Sequence, residues 1–197
     1  LVSDLNPNAP SFEFADFNII SSTYDHKQTA KKAKFFSKNI HKIHGVISLS
    51  SNFPYTVSYV SKMLNIPNSN SLKTASLSAD KHKMKIQFRR KNIPIPNFWI
   101  CNKKQDLIEI SEKNKFPFII KPLDGRGARG VFLIKDNNDL NKYYYVCKSF
   151  SKKKSILVEE YLKGPQFSTE AIVINGNAFP LGFCDRNYEF INKYSPY

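Results

Sequence analysis

Apolar and polar residues follow two periods along this chain, and each period predicts a kind of element. Apolar residues that recur every three or four positions are typical of helices with one buried face, whereas short apolar runs are typical of strands. In the stretch 26–41, for example, Ala33, Phe36 and Ile40 share one helical stripe and lysines fill other positions. The predicted helices are 26–41, 54–64, 71–92, 104–114 and 138–150, and the predicted strands are 1–2, 17–20, 45–49, 97–101, 118–120, 131–134, 155–159, 166–174 and 178–185.

The order of these elements predicts an α/β fold. In the first third of the chain, strands and helices alternate with short links, which is typical of a parallel sheet covered by helices. Later strands are separated by turn signals, and Asn175-Gly176 strongly indicates a two-residue hairpin turn. The chain opens without Met and ends soon after a sheet begins. We therefore expect the parallel layer to be truncated at its first strand, and both ends of the protein to lie outside this sequence.

Composition restricts the class of protein. The chain has 197 residues, of which 41% are hydrophobic, so it can bury the core of one or two domains. No apolar run approaches the roughly 20 residues that span a bilayer, and no signal peptide is visible. The three cysteines, Cys101, Cys147 and Cys184, are widely spaced. Their spacing argues against a disulfide framework or a zinc site and favours a reducing compartment, so we expect a cytoplasmic protein.

The formal net charge of +14 leaves a nucleic-acid-binding module open as one interpretation, because basic surfaces attract phosphate backbones. Most of this charge is lysine scattered along the predicted helices, together with the run Lys152-Lys153-Lys154. The sequence has no basic motif interleaved with aromatic residues. The charge therefore indicates a function less clearly than the glycine-rich loop in the middle of the chain.

That loop, which we call the glycine loop (residues 125–130), joins the predicted strands at 118–120 and 131–134. Glycine allows positive φ and close backbone approach, so successive N–H groups can face one concavity that suits phosphate oxygens. A Walker loop or a dinucleotide loop opens a helix, whereas this loop continues into a strand. A surface hairpin whose glycines serve only turn geometry is an equal alternative. The loop consists of Gly125, Arg126, Gly127, Ala128, Arg129 and Gly130.

Four short segments with candidate chemistry follow one another along the chain. They are Ala79-Asp80-Lys81 at a helix start, Ile119-Ile120-Lys121 before the glycine loop, Leu157-Val158-Glu159-Glu160-Tyr161-Leu162 at a strand end, and Gly164-Pro165-Gln166-Phe167-Ser168 at the next strand. Ser78 or Asp80 is the N-cap candidate for the helix. This arrangement resembles the ATP-grasp superfamily and, within it, ligases similar to biotin carboxylase and carbamoyl phosphate synthetase. The combination of Lys121 and its loop with the later segment at 158–162 indicates this superfamily more specifically than either feature alone.

The resemblance covers nearly the whole chain and implies a domain organisation. Residues 1–78 are expected to form a truncated parallel-sheet pre-ATP-grasp domain, and residues 79–96 a connecting helix. Residues 97–163 are expected to form the ATP-grasp small or lid subdomain. Residues 164–197 are expected to begin the large subdomain.

The resemblance also implies roles for individual residues. Lys81 and Lys121 match the two family lysines that hold the phosphates of ATP during catalysis, and the glycine loop matches the flap that closes over them. Gln166 lies where the family usually has a Glu that binds ribose, and its amide can still pair with a hydroxyl. Val158 and Leu162 are expected to form apolar walls beside adenine. The expected adenine-binding hinge, called the hinge segment below, is Glu159, Glu160, Tyr161 and Leu162.

The activity implied by the resemblance is ATP-dependent ligation of a carboxylate to an amine or ammonia. ATP would convert the carboxylate to an acyl phosphate, and the nitrogen nucleophile would then displace phosphate. Magnesium is expected to bridge the phosphates, with ligands beyond this sequence, so no metal ligand is assigned in it. The expected partners are ATP and small-molecule substrates, without a membrane, and the resemblance allows a homodimer. The alternative is a nucleotide-binding or interaction domain without ligase activity, and this chain alone is expected to be inactive.

Overall fold

The computed structural model describes residues 1–48, 53–67, 69–125 and 127–186. The chain divides into two compact units, Leu1–Ile93 and Pro94–Tyr197. The finer domain boundaries expected after residues 78, 96 and 163 stay predictions. Within the described ranges, no helix combines the length and the apolar character needed to cross a membrane.

The first unit contains a short parallel strand pair packed against helices. Its described elements are β1 (Val2–Asp4), a 3-10 helix (Pro10–Phe14), β2 (Asn18–Ile20), α1 (His26–Asn39), α2 (Pro54–Met63), α3 (Leu72–Ser78) and α4 (Lys81–Arg90). β1 and β2 pair in parallel, as the sequence predicted for this part of the chain. Ile19 of β2 is buried with Ala30 and Ala33 of α1 and Val60 of α2. This small cluster is the core of the unit, and it uses the apolar stripe predicted for α1.

One strand predicted in the first unit is wrong. The stretch 45–48 forms neither helix nor strand, and Leu49 lies outside the described residues. Ile43 and Val46 pack against the core cluster, whereas Ile47 is 77% exposed. A strand requires backbone pairing with a neighbour, and a run of apolar residues predicts burial without specifying such pairing. The apolar run here supplies side chains to the core from an irregular connection.

The second unit contains a four-stranded sheet and a separate hairpin. The sheet has the order β3-β6-β4-β5 and is antiparallel throughout. Each element corresponds to a segment predicted from the sequence. The elements are β3 (Phe98–Cys101), α5 (Lys104–Lys113), β4 (Phe118–Pro122), β5 (Phe132–Ile134), α6 (Asn137–Ser149), β6 (Ile156–Glu160), β7 (Phe167–Ile174) and β8 (Asn177–Asp185).

Strand register divides the side chains of the sheet between two faces. Directly paired residues share a face and successive residues alternate, so Ile120 and Val158 lie on one side and their neighbours on the other. Helices α5 and α6 cover that first side, which we call the helix face. Its core combines Cys101, Phe118, Ile120, Ile134, Ile156 and Val158 of the sheet with Leu107, Ile110, Leu140, Tyr144 and Cys147 of the helices. The second side, called the lysine face, carries Ile100, Ile119, Lys121, Leu157 and Glu159.

The β7–β8 hairpin forms at the turn that the sequence predicted. Asn175 and Gly176 both adopt positive φ, at 50° and 80°, which is the geometry of a tight turn that Asn and Gly accept most readily. The register shifts between Glu170 and Ala171, where the pairing is irregular. Nearly every residue of the two strands is exposed, including several large apolar ones. Among the described residues, the two strands pair only with each other, and their turn is the one that the local sequence predicted.

Candidate functional site

The centre of the candidate site is an ion pair on the lysine face. β4 and β6 are antiparallel neighbours in which Ile119 lies opposite Glu159, and Lys121 lies opposite Leu157. Lys121 and Glu159 are therefore diagonal neighbours on one face, within reach of long side chains. Their Nζ and Oε2 atoms are 2.5 Å apart, and the side chains are only 22% and 9% exposed. Sheet register thus brings together two residues that the sequence assigned to phosphate and adenine.

This pair fixes a cation beside apolar surface. A lysine ammonium has three donors, so a carboxylate can hold it in place while other donors remain for further acceptors such as phosphate oxygens. Ile100 and Ile119 are half-buried on the same face, and Leu157 is fully buried. The apolar walls expected from the sequence are therefore partly wrong. Val158 is fully buried in the core of the helix face, because a residue next to Glu159 must point to the opposite side.

The glycine loop has the backbone geometry of a turn with left-handed residues. Gly127, Ala128 and Gly130 have φ values of 64°, 57° and 74°, and the amide of Val131 donates to the carbonyl of Ala128 at 3.3 Å. Backbone amides in such conformations can line an anion-binding concavity. At Gly130 a Cβ would lie 2.7 Å from the ring of Phe150, so the position excludes any larger residue. Arg126 lies outside the described residues, and Arg129 is exposed.

In the hinge segment, the residue after Glu159 is held by a contact that the sequence did not predict. The carboxylate of Glu160 accepts hydrogen bonds from the backbone amide of Asn97 at 3.2 Å and from its side-chain amide at 3.1 Å. The amide of Glu160 donates in return to the carbonyl of Asn97 at 2.9 Å. Beyond this point the hinge segment is exposed, with Tyr161 and Leu162 at 38% and 60%. Because 63 positions separate Asn97 from Glu160, no local sequence signal connects them.

The second predicted lysine, Lys81, lies at the first position of α4 in the first unit. The structure confirms Asp80 as the N-cap of this helix: its carboxylate accepts the amides of His82 and Lys83, each at 3.1 Å. Ser78, the other candidate, is the last residue of α3. Lys81 is half-buried. Its role as a phosphate-binding residue stays a prediction, since Lys121 belongs to the other unit.

The remaining predicted residue, Gln166, lies directly before β7. Its carbonyl accepts the amide of Arg186 at 2.9 Å, which closes the open end of the hairpin, and the residue is exposed. For metals, the part of the chain that the structure describes contains no group of three His, Cys, Asp or Glu residues that could hold an ion. No metal ligand is assigned among these residues.

Taken together, the fold and site define an α/β protein with a glycine loop between sheet strands and a lysine–glutamate pair beside it. The family model of the ATP-grasp domain matches residues 78–196, and the chain belongs to this family. The assignment made from the sequence is therefore confirmed, both for the superfamily and for the α/β fold class that it implies.

Individual relatives show the same relationship. Cyanophycin synthetase of Geminocystis herdmanii is 28% identical over 113 residues, which are 56% of this chain and 13% of that protein. D-alanine–D-alanine ligase of Neisseria meningitidis is 26% identical over 161 residues, which are 80% of this chain and 50% of that protein. The fold is similar to N5-carboxyaminoimidazole synthetase from Staphylococcus aureus complexed with ADP, with a TM-score of 0.74, 18% identity and coverage of 94% of this chain and 47% of that one. The chain thus spans half or less of the length of these proteins.

Proposed function

We propose that this chain is the ATP-binding part of a ligase that joins a carboxylate to an amine or ammonia. The observation that carries the proposal is the pairing of Lys121 with Glu159 on the lysine face, directly before the glycine loop, in a chain of the ATP-grasp family. ATP carries several negative charges, so its binding requires fixed cations and amide donors. The names of the relatives, a D-alanine–D-alanine ligase and a cyanophycin synthetase, also support a ligase.

In the proposed reaction, the substrate carboxylate attacks the terminal phosphoryl group of ATP to give an acyl phosphate and ADP. The nitrogen nucleophile then attacks the acyl carbon, and phosphate leaves. Lys121 and the amides of the glycine loop hold the phosphates, and Lys81 is proposed as the second phosphate-binding lysine. Such preorganised donors stabilise the charge that develops during phosphoryl transfer.

The other end of the nucleotide is proposed to lie along the hinge segment. The half-buried Ile119 and Ile100 offer apolar surface for a base on the lysine face, in place of the fully buried Val158. Glu159 and the backbone of residues 160–162 would supply the polar contacts to adenine. The exposed amide of Gln166 is proposed to pair with a ribose hydroxyl.

The metal, the location and the substrates of the protein are also proposed here. We propose that magnesium accompanies ATP and that its ligands are not among the described residues. A cytoplasmic location agrees with the free thiols of Cys101, Cys147 and Cys184. The substrates are proposed to be a small-molecule carboxylate and amine.

The proposal is tested by Lys121→Ala in the full-length protein, with Lys135→Ala as a matched control on the exposed surface of the same unit. We expect the first variant to lower turnover by about a hundred- to a thousand-fold, as the loss of a preorganised charge donor typically does. Its folding free energy should fall by only about 1–3 kcal/mol, the effect of a lost hydrogen bond to a charged group. ATP-dependent phosphate release and urea unfolding provide the two measurements. Wild-type turnover in Lys121→Ala would refute the assigned role.

A further inference from the structure

Both ends of the glycine loop are attached to one neighbouring segment, the connection between α6 and β6 (residues 150–155). At the entrance to the loop, the amide of Leu123 donates to the carbonyl of Ser155 at 3.1 Å. At its exit, Gly130 packs so closely on Phe150 that a Cβ would come within 2.7 Å of the ring. The connection therefore supports the loop at two points that are far apart along the loop.

The strongest attachment is made by Asp124. One carboxylate oxygen of Asp124 accepts the hydroxyl of Ser151 at 2.6 Å, and the other accepts the backbone amide of Lys153 at 3.3 Å. Ser151 is only 1% exposed, and its Oγ also accepts the amide of Ser155 at 3.3 Å. Hydrogen bonds to a carboxylate are shorter and stronger than those between neutral groups, and a buried one is protected from water. Asp124 therefore ties the start of the loop to both sides of a tight turn.

We propose that Asp124 is a positioning residue, which through Ser151 couples the glycine loop to the α6–β6 connection so that both move as one body when the loop binds phosphate. The inference rests on the proposed function, because it assigns a purpose to the attachment in terms of nucleotide binding. Because the two ends of the loop are already attached to the connection, less conformational freedom is lost when ATP binds. The connection carries Lys152, Lys153 and Lys154, and the backbone amide of Lys153 contacts Asp124 directly.

If Asp124 had a purely structural role, its replacement would have a different effect. In that case its replacement would lower the stability of the whole unit without acting selectively on nucleotide binding. Asp136 is a suitable control for such an effect. Its carboxylate caps α6 by accepting the amide of Asp139 at 2.9 Å, on a different segment from the loop and the connection.

The test combines hydrogen exchange, measured by mass spectrometry, with ATP kinetics in the full-length protein. The variants are Asp124→Asn, which keeps one acceptor oxygen, Ser151→Ala, their double variant, and Asp136→Ala. We expect amide exchange in both segments, 123–131 and 150–155, to rise about tenfold in Asp124→Asn and in Ser151→Ala. The double variant should add little, because both residues serve one contact. The KM for ATP should rise about tenfold while kcat at saturating ATP changes less than threefold, and Asp136→Ala should show neither effect.

Three results would overturn the inference: exchange that rises in only one segment, exchange that rises equally in Asp136→Ala, or an unchanged KM for ATP in a variant whose loop has been released. Failure of the proposed function is distinguishable. If the proposed function is wrong, ATP will not slow amide exchange in the loop of the wild-type protein. The coupling of the loop to the connection is tested separately, by amide exchange of the variants without nucleotide.

Discussion

The four-stranded sheet and the β7–β8 hairpin are both antiparallel and rich in strand-forming residues, yet they differ completely in burial. Ile120 and Val158 in the sheet are fully buried, whereas Val173 and Phe183 in the hairpin are 66% and 71% exposed. The hairpin has a tight turn at Asn175 and Gly176, and among the described residues its two strands pair only with each other. The sheet has in addition α5 and α6, which cover its helix face. Pairing and burial are therefore separate properties, and only the second gives a strand substantial stability.

The predicted site residues also differ in how firmly the sheet and the hairpin hold them. Lys121 and Glu159 lie on strands whose other face is fixed by the core, so their separation is set by a rigid sheet. Gln166 lies at the end of the exposed hairpin and is held through backbone contacts. A catalytic group is most effective when a rigid element positions it before the substrate arrives. We therefore expect the sheet to carry the larger share of nucleotide binding within this chain.

The largest effect is expected on the free energy of unfolding, when one apolar side chain of the sheet and one of the hairpin are each truncated to Ala. Ile120→Ala removes buried apolar surface and leaves a cavity, so it should lower the free energy of unfolding by about 2–5 kcal/mol. Val173→Ala, its matched control in the hairpin, should cost less than about 1 kcal/mol because the side chain is already exposed. Urea denaturation of the two variants measures the difference. Equal losses would show that the hairpin contributes to a core in the same way as the sheet.

A smaller effect on stability is expected when the charge of Glu159 is removed from the ion pair with Lys121. Glu159→Gln preserves the shape of the side chain but removes the charge that holds the ammonium of Lys121. We expect the unfolding free energy to fall by about 1–3 kcal/mol. The KM for ATP should also rise about tenfold, because the ammonium is no longer prepositioned. Glu112→Gln, at an exposed position of α5, is the control. An unaltered KM for ATP in Glu159→Gln would separate the ion pair from nucleotide binding.

The smallest effect concerns the two thiols in the sheet core. Burial raises the pKa of both Cys101 and Cys147 to about 12, from an ordinary value of 9.0. Above about pH 9 the thiols of the unfolded chain ionise while those of the folded protein stay protonated, so stability is lost as the pH rises from 9 towards 12. Cys147→Ala removes one of these groups. Its stability deficit relative to wild type should therefore be smaller at pH 10 than at pH 8.

Thermal or urea unfolding at the two pH values measures this deficit. A deficit that stays constant would contradict the assigned cause. Alkylation extends the comparison to the hairpin: Cys184 on β8 is exposed and should react in the native protein, whereas Cys101 and Cys147 should react only after unfolding.

Much of the fold was predictable because its signals are local. The burial of Ala33 and Phe36 on α1, the cap at Asp80 and the turn at Asn175 each depend on residues close together in sequence, and the structure confirms them. Ile40, predicted on the same stripe, instead follows the end of α1 and is 56% exposed. The strand predicted at 45–49 was wrong because a short apolar run indicates burial without identifying a hydrogen-bonding partner. The prediction that Val158 forms a wall beside adenine was also wrong, because Val158 is fully buried in the core of the helix face. The alternation of side chains along a strand, counted from Glu159, could have corrected it.

The candidate site was predictable only in part. Lys121, Glu159 and the glycine loop carry a recognisable pattern of residue types and spacing, and strand pairing brings the first two together. The contacts of Glu160 with Asn97, and of Asp124 with Ser151, cross 63 and 27 positions. Such contacts depend on the strand order and on the path of a connection, and neither can be predicted from the residues that make the contact.

The most direct test of the account uses an acyl phosphate derivative of ATP, which transfers its acyl group to lysines that contact the phosphates. Mass spectrometry of the full-length protein then identifies the modified lysines. The account predicts selective modification of Lys121 and Lys81, suppressed by excess ATP, while Lys135 reacts weakly and without competition. Modification spread evenly over surface lysines, or unaffected by ATP at both Lys81 and Lys121, would contradict the proposal that these lysines contact the phosphates of ATP.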